Sequence, residues 1–284
     1  MSIMTFIKNS WKLALASISL AMVISSCNNE SKTPPPPTPT AETKPAVKAL
    51  PDKMPAEKAD SNAKFVYLTF DDGPLPGSEA INKLVLDNKF KASVFVVGKH
   101  TNNGRNSLRL LKDYMKNPYM DVCNHSYTHA NNEYDKFYRK PDSATADIVK
   151  NETELGLTLK TVRLPGRQLW MMPERDLNMK VSSAQKTAEA LKAQGFKIIG
   201  WDVEWANKGS VPKETPQEMV TKIDNLFKQD MTFSRNHLVV LAHDPMFQKE
   251  EGQKQLLELV QLLKDKKYVL ENIRHYPEKD SAEY

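Results

Sequence analysis

Seven strand-like runs alternate with six amphipathic, helix-like runs, and this alternation most limits what the chain can fold into. The strand-like runs cover 64–70, 92–98, 119–123, 161–164, 197–202, 238–242 and 267–272. Helical segments lie between them near 78–89, 105–117, 142–156, 183–194, 215–229 and 250–265. The pattern predicts an α/β domain built on a parallel sheet, open or closed. Ser93–Val97 and Leu238–Leu241 are continuously apolar, as strands buried on both faces are. No internal repeat is visible.

The first 62 residues stand outside this pattern. Lys8 and Lys12 precede the apolar run Leu13–Ile24, which is too short to span a membrane comfortably and reads as an export signal. Ile24-Ser25-Ser26-Cys27 resembles a bacterial lipobox, which implies cleavage before Cys27 and lipidation of that cysteine. Several acyl chains on one residue anchor stably, where a single chain binds only marginally. Eight of the 18 prolines fall between Pro34 and Pro55, so residues 27–62 read as an extended tether. The expected organisation is a signal (1–26), a tether (27–62), one domain (63–276) and a tail (277–284).

Cys123 is the only other cysteine, so with Cys27 lipidated no internal disulfide forms and the packed core must supply stability. Cys123 itself reads as a buried strand residue. Loss of Lys8 and Lys12 takes the formal charge from +5 to +3. There is no basic run of the kind that binds nucleic acid, and a nucleic-acid partner is not expected.

The polar residues with chemical potential cluster at strand ends. Asp71 and Asp72 follow the first run, within Thr69-Phe70-Asp71-Asp72-Gly73-Pro74. Adjacent acids gain nothing in a turn, but at a metal site one can hold a cation while the other handles protons. His125 follows the third run, and His129 stands four residues on. An H-x3-H pair on one helical turn or in a tight loop offers two nitrogens to one ion. With Asp72, the set suits one divalent ion, Zn²⁺, or Co²⁺ or Ni²⁺, and leaves positions open for water and substrate. Arg163 and Pro165 end the fourth run, Glu204 and Trp205 follow the fifth, and His243 follows the sixth. All lie at carboxyl ends, where α/β proteins carry their active sites.

These segments resemble, in order, the five motifs of the polysaccharide deacetylase family, also called the NodB-homology or carbohydrate esterase 4 family. Thr69–Pro74 is similar to the first and Asn124–His129 to the second. Arg163-Leu164-Pro165-Gly166 resembles the third, Trp201-Asp202-Val203-Glu204-Trp205 the fourth, and Leu241-Ala242-His243 the fifth. The resemblance covers about residues 63–275 and implies an irregular (β/α)7 barrel in one catalytic domain.

The implied activity is metal-dependent removal of N-acetyl groups from a cell-surface or cell-wall polysaccharide, peptidoglycan included, with release of acetate. Asp72, His125 and His129 would hold the metal, Asp71 would act as base and His243 as acid. Arg163 would orient Asp71, and either Asp202 or Glu204 would tune His243. Gly166 would offer a backbone N–H to the developing oxyanion, and Pro165, Trp205 and Leu241 would line the substrate groove. The implied protein is a monomeric lipoprotein of the cell envelope.

Two positions depart from the family pattern. The aromatic of the third motif is absent, with Gly166 directly after Pro165. Glu204 stands where the fourth motif has Asp, and strand alternation would put Asp202 on the same face. An O-acetyl polysaccharide esterase and a small-amide hydrolase remain alternatives on the same fold. A binding protein without catalysis is the alternative of another class, but it would need no base and acid pair.

Overall fold

The computed structural model describes residues 52–172 and 183–278. The signal segment, Cys27, the tether as far as residue 51 and residues 279–284 of the expected tail lie outside the described residues. Among the described residues the strands are β1 (Phe65–Gly73), β2 (Ala92–Val96), β3 (Met120–Asn124), β4 (Thr161–Val162), β5 (Lys197–Ile198), β6 (Val203–Glu204), β7 (Asn207–Lys208), β8 (Val211–Pro212), β9 (His237–His243) and β10 (Val269–Leu270). The α-helices are α1 (Ser78–Asn88), α2 (Arg105–Lys116), α3 (Tyr134–Tyr138), α4 (Pro141–Leu155), α5 (Gln185–Lys192), α6 (Pro216–Lys228) and α7 (Glu250–Asp265). Six of them fall on the expected helical runs, and α3 is additional. No described helix is long and apolar enough to cross a membrane.

Eight strands form one parallel sheet in the order β5-β4-β3-β2-β1-β9-β6, with β10 beside the start of β1. β7 and β8 make a separate small hairpin. Every strand of the large sheet runs parallel to its neighbours, as strand–helix–strand crossovers require. Side chains alternate between two apolar clusters. Val66, Leu68 and Phe70 of β1 face outward, packed with Ile81 and Val85 of α1 and Leu256 and Leu259 of α7. Tyr67, Phe95, Cys123 and Val239 face inward, one from each of β1, β2, β3 and β9. Both faces of the sheet are therefore buried, and the sheet curls into an irregular α/β barrel.

The expected strand 197–202 is broken in two, and the break closes the barrel. Ile199 donates its N–H to the Val162 carbonyl beside β4, while Asp202 donates to the Val239 carbonyl of β9. Between those two bonds the chain leaves one edge of the sheet and joins the other. The Asp202 carboxylate fixes the crossing by accepting the N–H of Phe233 (2.6 Å) and of Val239 (2.7 Å). The segment after β4 fills the remaining gap, with Met171 bonded antiparallel to Ile198 (2.9 and 2.8 Å). There Trp170 stacks on Phe233 at 4.2 Å and on Tyr276 at 5.4 Å, inside the barrel.

Residues 52–57, placed in the tether by the sequence reading, pack on the domain. The Lys53 ammonium donates to the carbonyls of Met115 (2.9 Å), Asn117 (2.7 Å) and Met120 (2.7 Å), where α2 ends and β3 begins. Glu57 pairs with buried Lys91 (3.0 Å), which also pairs with buried Glu271 (2.9 Å). Proline content marks this stretch as extended, but an extended strap can still dock through its side chains. Lys53→Met keeps the aliphatic stem and strips these carbonyls of their donor. It should lower the unfolding free energy by about 1–3 kcal/mol in a urea titration. A change within roughly 0.5 kcal/mol would mean the strap is not held there.

Candidate active site

The alternation that fills the barrel interior also builds its mouth. On β1 the inward positions run Tyr67, Thr69, Asp71, and on β9 they run Val239, Leu241, His243. Parallel register places Asp71 beside His243 and Thr69 beside Leu241. Two residues beyond Cys123, the chain leaves β3 at His125. These ends meet in a cleft of about 390 Å³ lined by Asp71, Asp72, His125, His129, Arg163 and His243, with Leu241, Gly166 and Glu204 at its sides.

Arg163 is fully buried beneath the cleft. Its guanidinium donates to Asp71 Oδ1 (2.8 Å), Thr69 Oγ1 (2.8 Å), the Gly200 carbonyl (2.8 Å) and the Ile199 carbonyl (3.3 Å). It also lies 4.2 Å from the centre of the Phe95 ring. A buried charge needs this degree of partnering to be tolerated. Asp71 is thereby fixed, with its second oxygen 3.6 Å from His125 Nε2.

Asp72 points the other way, toward both histidines. Its Oδ1 lies 3.1 Å from His129 Nε2 and 3.5 Å from His125 Nε2, and one ligand atom from each of the three residues falls within 4.8 Å of the others. The opposite ring nitrogens are engaged. His125 Nδ1 faces the Arg163 carbonyl at 2.9 Å, which can only accept, so Nδ1 carries the proton and Nε2 presents a lone pair. His129 Nδ1 is set the same way by Asn132 Oδ1 at 2.8 Å. A buried Asp72 oxygen without a hydrogen-bond partner then faces nitrogen lone pairs. That donor set fits a divalent cation of the Zn²⁺, Co²⁺ or Ni²⁺ kind.

Burial would raise the Asp72 carboxyl, but where the neighbouring imidazoles are protonated the His129 bond and the charges of His125, His129 and His243 outweigh it and hold the group well below the usual range. Burial lowers His125, against the pull of Asp71 and Asp72. For His129 burial also opposes the charge, yet Asp72 wins and the pKa is raised.

The histidine loop is a strained left-handed turn. His129, Ala130, Asn131 and Asn132 have φ of 52°, 51°, 51° and 58°. Left-handed backbone costs L-residues roughly 1–2 kcal/mol each, less for asparagine. Props from α4 hold it: Asp147 accepts the N–H of Tyr127 (3.0 Å) and Thr128 (3.1 Å), and Asn151 bonds to Asn124 Oδ1 (2.8 Å). Asp72 is also strained, at φ 76°, and His100 Nδ1 donates to its carbonyl at 2.6 Å.

Several expected positions fall elsewhere. Trp205 is not a groove wall. It is buried against Phe247, with its indole N–H donating to the Glu214 carbonyl (2.8 Å), because the strand break at Asp202 turns it outward. Trp201 lines the cleft instead. Asp202 and Glu204 do not share an environment, since Asp202 is spent on two backbone amides while Glu204 is exposed at the cleft edge. Burial, opposed by the Val239 and Phe233 amides, pushes Asp202 up to about 6. Neither acid hydrogen-bonds His243, whose Nδ1 is buried without a hydrogen-bond partner. Pro165 contributes its carbonyl to the Tyr138 hydroxyl (2.9 Å) and does not line the cleft. Cys123 is a buried interior residue, and burial pushes its thiol up. Tyr134, Leu164 and Gln168 complete the lining; Leu164 lies within the third motif, and no motif marks the other two.

Two outcomes follow from these buried groups. Arg163→Met leaves Asp71 buried without its partner and should cost about 3–5 kcal/mol in urea unfolding; a loss under about 1 kcal/mol would show the pair is dispensable for folding. Asp244, next to His243, is buried between Ser78 and the Tyr114 hydroxyl (3.0 Å). Burial pushes it up to about 7, against those two hydrogen bonds and helped by Asp72 and Asp71. An acid with a higher pKa folded than unfolded stabilises fully below the unfolded value near 4, and that stability is lost as pH rises to 7. Metal-free protein should therefore lose stability from pH 4 to pH 7, by up to roughly 4 kcal/mol. Asp244→Asn should reduce that slope to the share left by Asp202, itself raised to about 6, and an unchanged slope in this variant would assign it to other groups.

A family model described as polysaccharide deacetylase matches residues 58–199. Solved structures with the same fold include a carbohydrate esterase 4 (CE4) esterase of Streptococcus mutans, with 20% identity, 74% of this chain and 86% of that one covered, and a TM-score of 0.56. The catalytic domain of a peptidoglycan N-acetylglucosamine deacetylase from Eubacterium rectale aligns at 19% identity over 84% of this chain and 98% of its own, with a TM-score of 0.54. A Bacillus cereus polysaccharide deacetylase aligns at 22% identity over 75% and 95%, with a TM-score of 0.51. No curated protein sequence matched the chain. At these identities the structural likeness speaks for the fold, while the family model spans half of the 284 residues. The chain belongs to the polysaccharide deacetylase family and is a deacetylase.

Proposed function

We propose that the protein removes N-acetyl groups from amino sugars of a cell-wall or cell-surface polysaccharide, peptidoglycan included, using one divalent metal ion. One observation carries this reading: a cation-type donor set, Asp72, His125 and His129, stands beside a separate buried acid, Asp71, and a histidine on the adjacent strand, His243. A site that only bound sugar would need no such division.

Asp72, His125 and His129 would hold the divalent ion, which would supply Lewis-acid polarisation of the acetamide carbonyl and lower the pKa of the attacking water. Asp71, aimed by Arg163, accepts the proton of the attacking water. The Gly166 N–H donates to the carbonyl oxygen as that oxygen gains charge. His243 gives a proton to the leaving amine, so acetate and a free amino sugar result. Leu241 and Trp201 offer apolar surface for the acetyl methyl. An export signal and Cys27 lipidation would place this chemistry in the cell envelope, on a membrane-anchored chain.

The test is acetate release by the full-length protein from N-acetylglucosamine oligomers and from peptidoglycan, metal-stripped and after Zn²⁺ or Co²⁺ is restored. We expect metal-dependent release, one metal per chain, and a drop of at least a hundredfold in Asp71→Asn and His243→Ala. Release from O-acetylated xylan alone would assign an ester substrate. A protein that binds no metal would sink the proposed ligand set, and metal binding without acetate release from any glycan would move the reading to a small amide.

A further inference from the structure

α3 and the segment after β4 are stitched together at the edge of the cleft. The Tyr138 hydroxyl donates to the Pro165 carbonyl at 2.9 Å. The Arg167 guanidinium pairs with Asp135 and lies 5.1 Å from the centre of the Tyr138 ring. These contacts carry the first residue of α3, Tyr134, onto Gly166. A Cβ added at Gly166 would come within 2.8–2.9 Å of three carbons of the Tyr134 ring. Gly166 also has φ 64°, where a side chain is strained. Two independent constraints thus require glycine at 166, and the first exists only because Tyr134 lies there.

Tyr134 is not a core tyrosine. Tyr138, one turn on, is buried with its hydroxyl satisfied, whereas Tyr134 is half-buried and lines the cleft. Among the described residues its hydroxyl makes no hydrogen bond. Its ring stands perpendicular to the His129 imidazole, with 5.8 Å between centres. An aromatic with an apolar ring and a free polar tip, fixed at the wall of a polar cleft, is suited to a sugar. Its ring meets the C–H face of a pyranose and its hydroxyl meets a ring hydroxyl.

We propose that Tyr134 is a substrate-contacting, specificity-determining residue, whose ring and hydroxyl hold the pyranose next to the one being deacetylated. The proposal rests on the polysaccharide reading above. Because this contact is made alike before and during reaction, it acts on KM and leaves kcat alone. It also acts only on substrates long enough to reach it.

The experiment compares the zinc-loaded full-length protein with Tyr134→Ala and Tyr134→Phe. The substrates are an N-acetylglucosamine tetramer and a single-sugar or small acetyl substrate. Zinc affinity is measured in parallel by chelator competition. In Tyr134→Ala we expect KM for the tetramer to rise about tenfold, a loss of one decade of binding. Its kcat, its turnover of the small substrate and its zinc affinity should stay within about threefold of wild type. Tyr134→Phe, which loses only the hydroxyl, should raise KM by about threefold. An unchanged tetramer KM in an active wild-type background overturns the proposal alone. So does a parallel loss on both substrates with weakened zinc binding, which would mean Tyr134 acts through His129. A wild-type protein inactive on every acetylated glycan removes the polysaccharide reading and this proposal with it.

Discussion

The buried guanidinium of Arg163 is the contact on which the rest of the arrangement depends. It reaches Thr69 and Asp71 on β1, Phe95 on β2 and the carbonyls of Ile199 and Gly200 in the crossing between β5 and β6. Its own carbonyl fixes the tautomer of His125. One planar cation thus joins the closure of the barrel, the placement of Asp71 and the tautomer of His125. A lysine would carry the charge without the fork that makes these bonds together. The usual separation of a structural core from a reactive site is therefore absent here, because the same group serves both.

Much of this was legible in the sequence because strand periodicity is simple. Asp71, His125, Arg163 and His243 each end a strand-like run, so one parity rule brings them to one mouth. The helices were legible for a similar reason, as amphipathic runs between apolar ones; α6 even carries its Thr215–Glu218 capping box and Pro216 in the sequence. Parity failed where the strand failed. The crossing at residues 199–202 resets the alternation, which is why Trp205 leaves the groove for the core, Trp201 lines the cleft, and Asp202 and Glu204 part company. Nothing local announces that break, since it comes from two amides 31 and 37 residues later, Phe233 just before β9 and Val239 within it.

Tyr134 was hidden for another reason. It lies in a short helix with no periodic face, and its importance shows only against Gly166, which is distant in sequence and close in space. The histidine loop shows the same limit. H-x3-H announces two neighbouring imidazoles, but the left-handed turn that presents them depends on Asp147 and Asn151 of α4. Strain of this kind persists only where surrounding bonds over-determine it.

The strap at residues 52–57 sets the direction in which the molecule can be held. Lys53 and Glu57 grip the ends of the strands where β2 and β3 begin, and the cleft opens where β1, β3 and β9 finish. Anything that pulls on the chain ahead of residue 52 is resisted by an ammonium seated among carbonyls and by the Glu57–Lys91–Glu271 ion pairs, on the far side from the reacting groups. A pull on residue 52 would therefore be borne at the pole of the barrel opposite the cleft, by bonds that share no residue with the cleft lining.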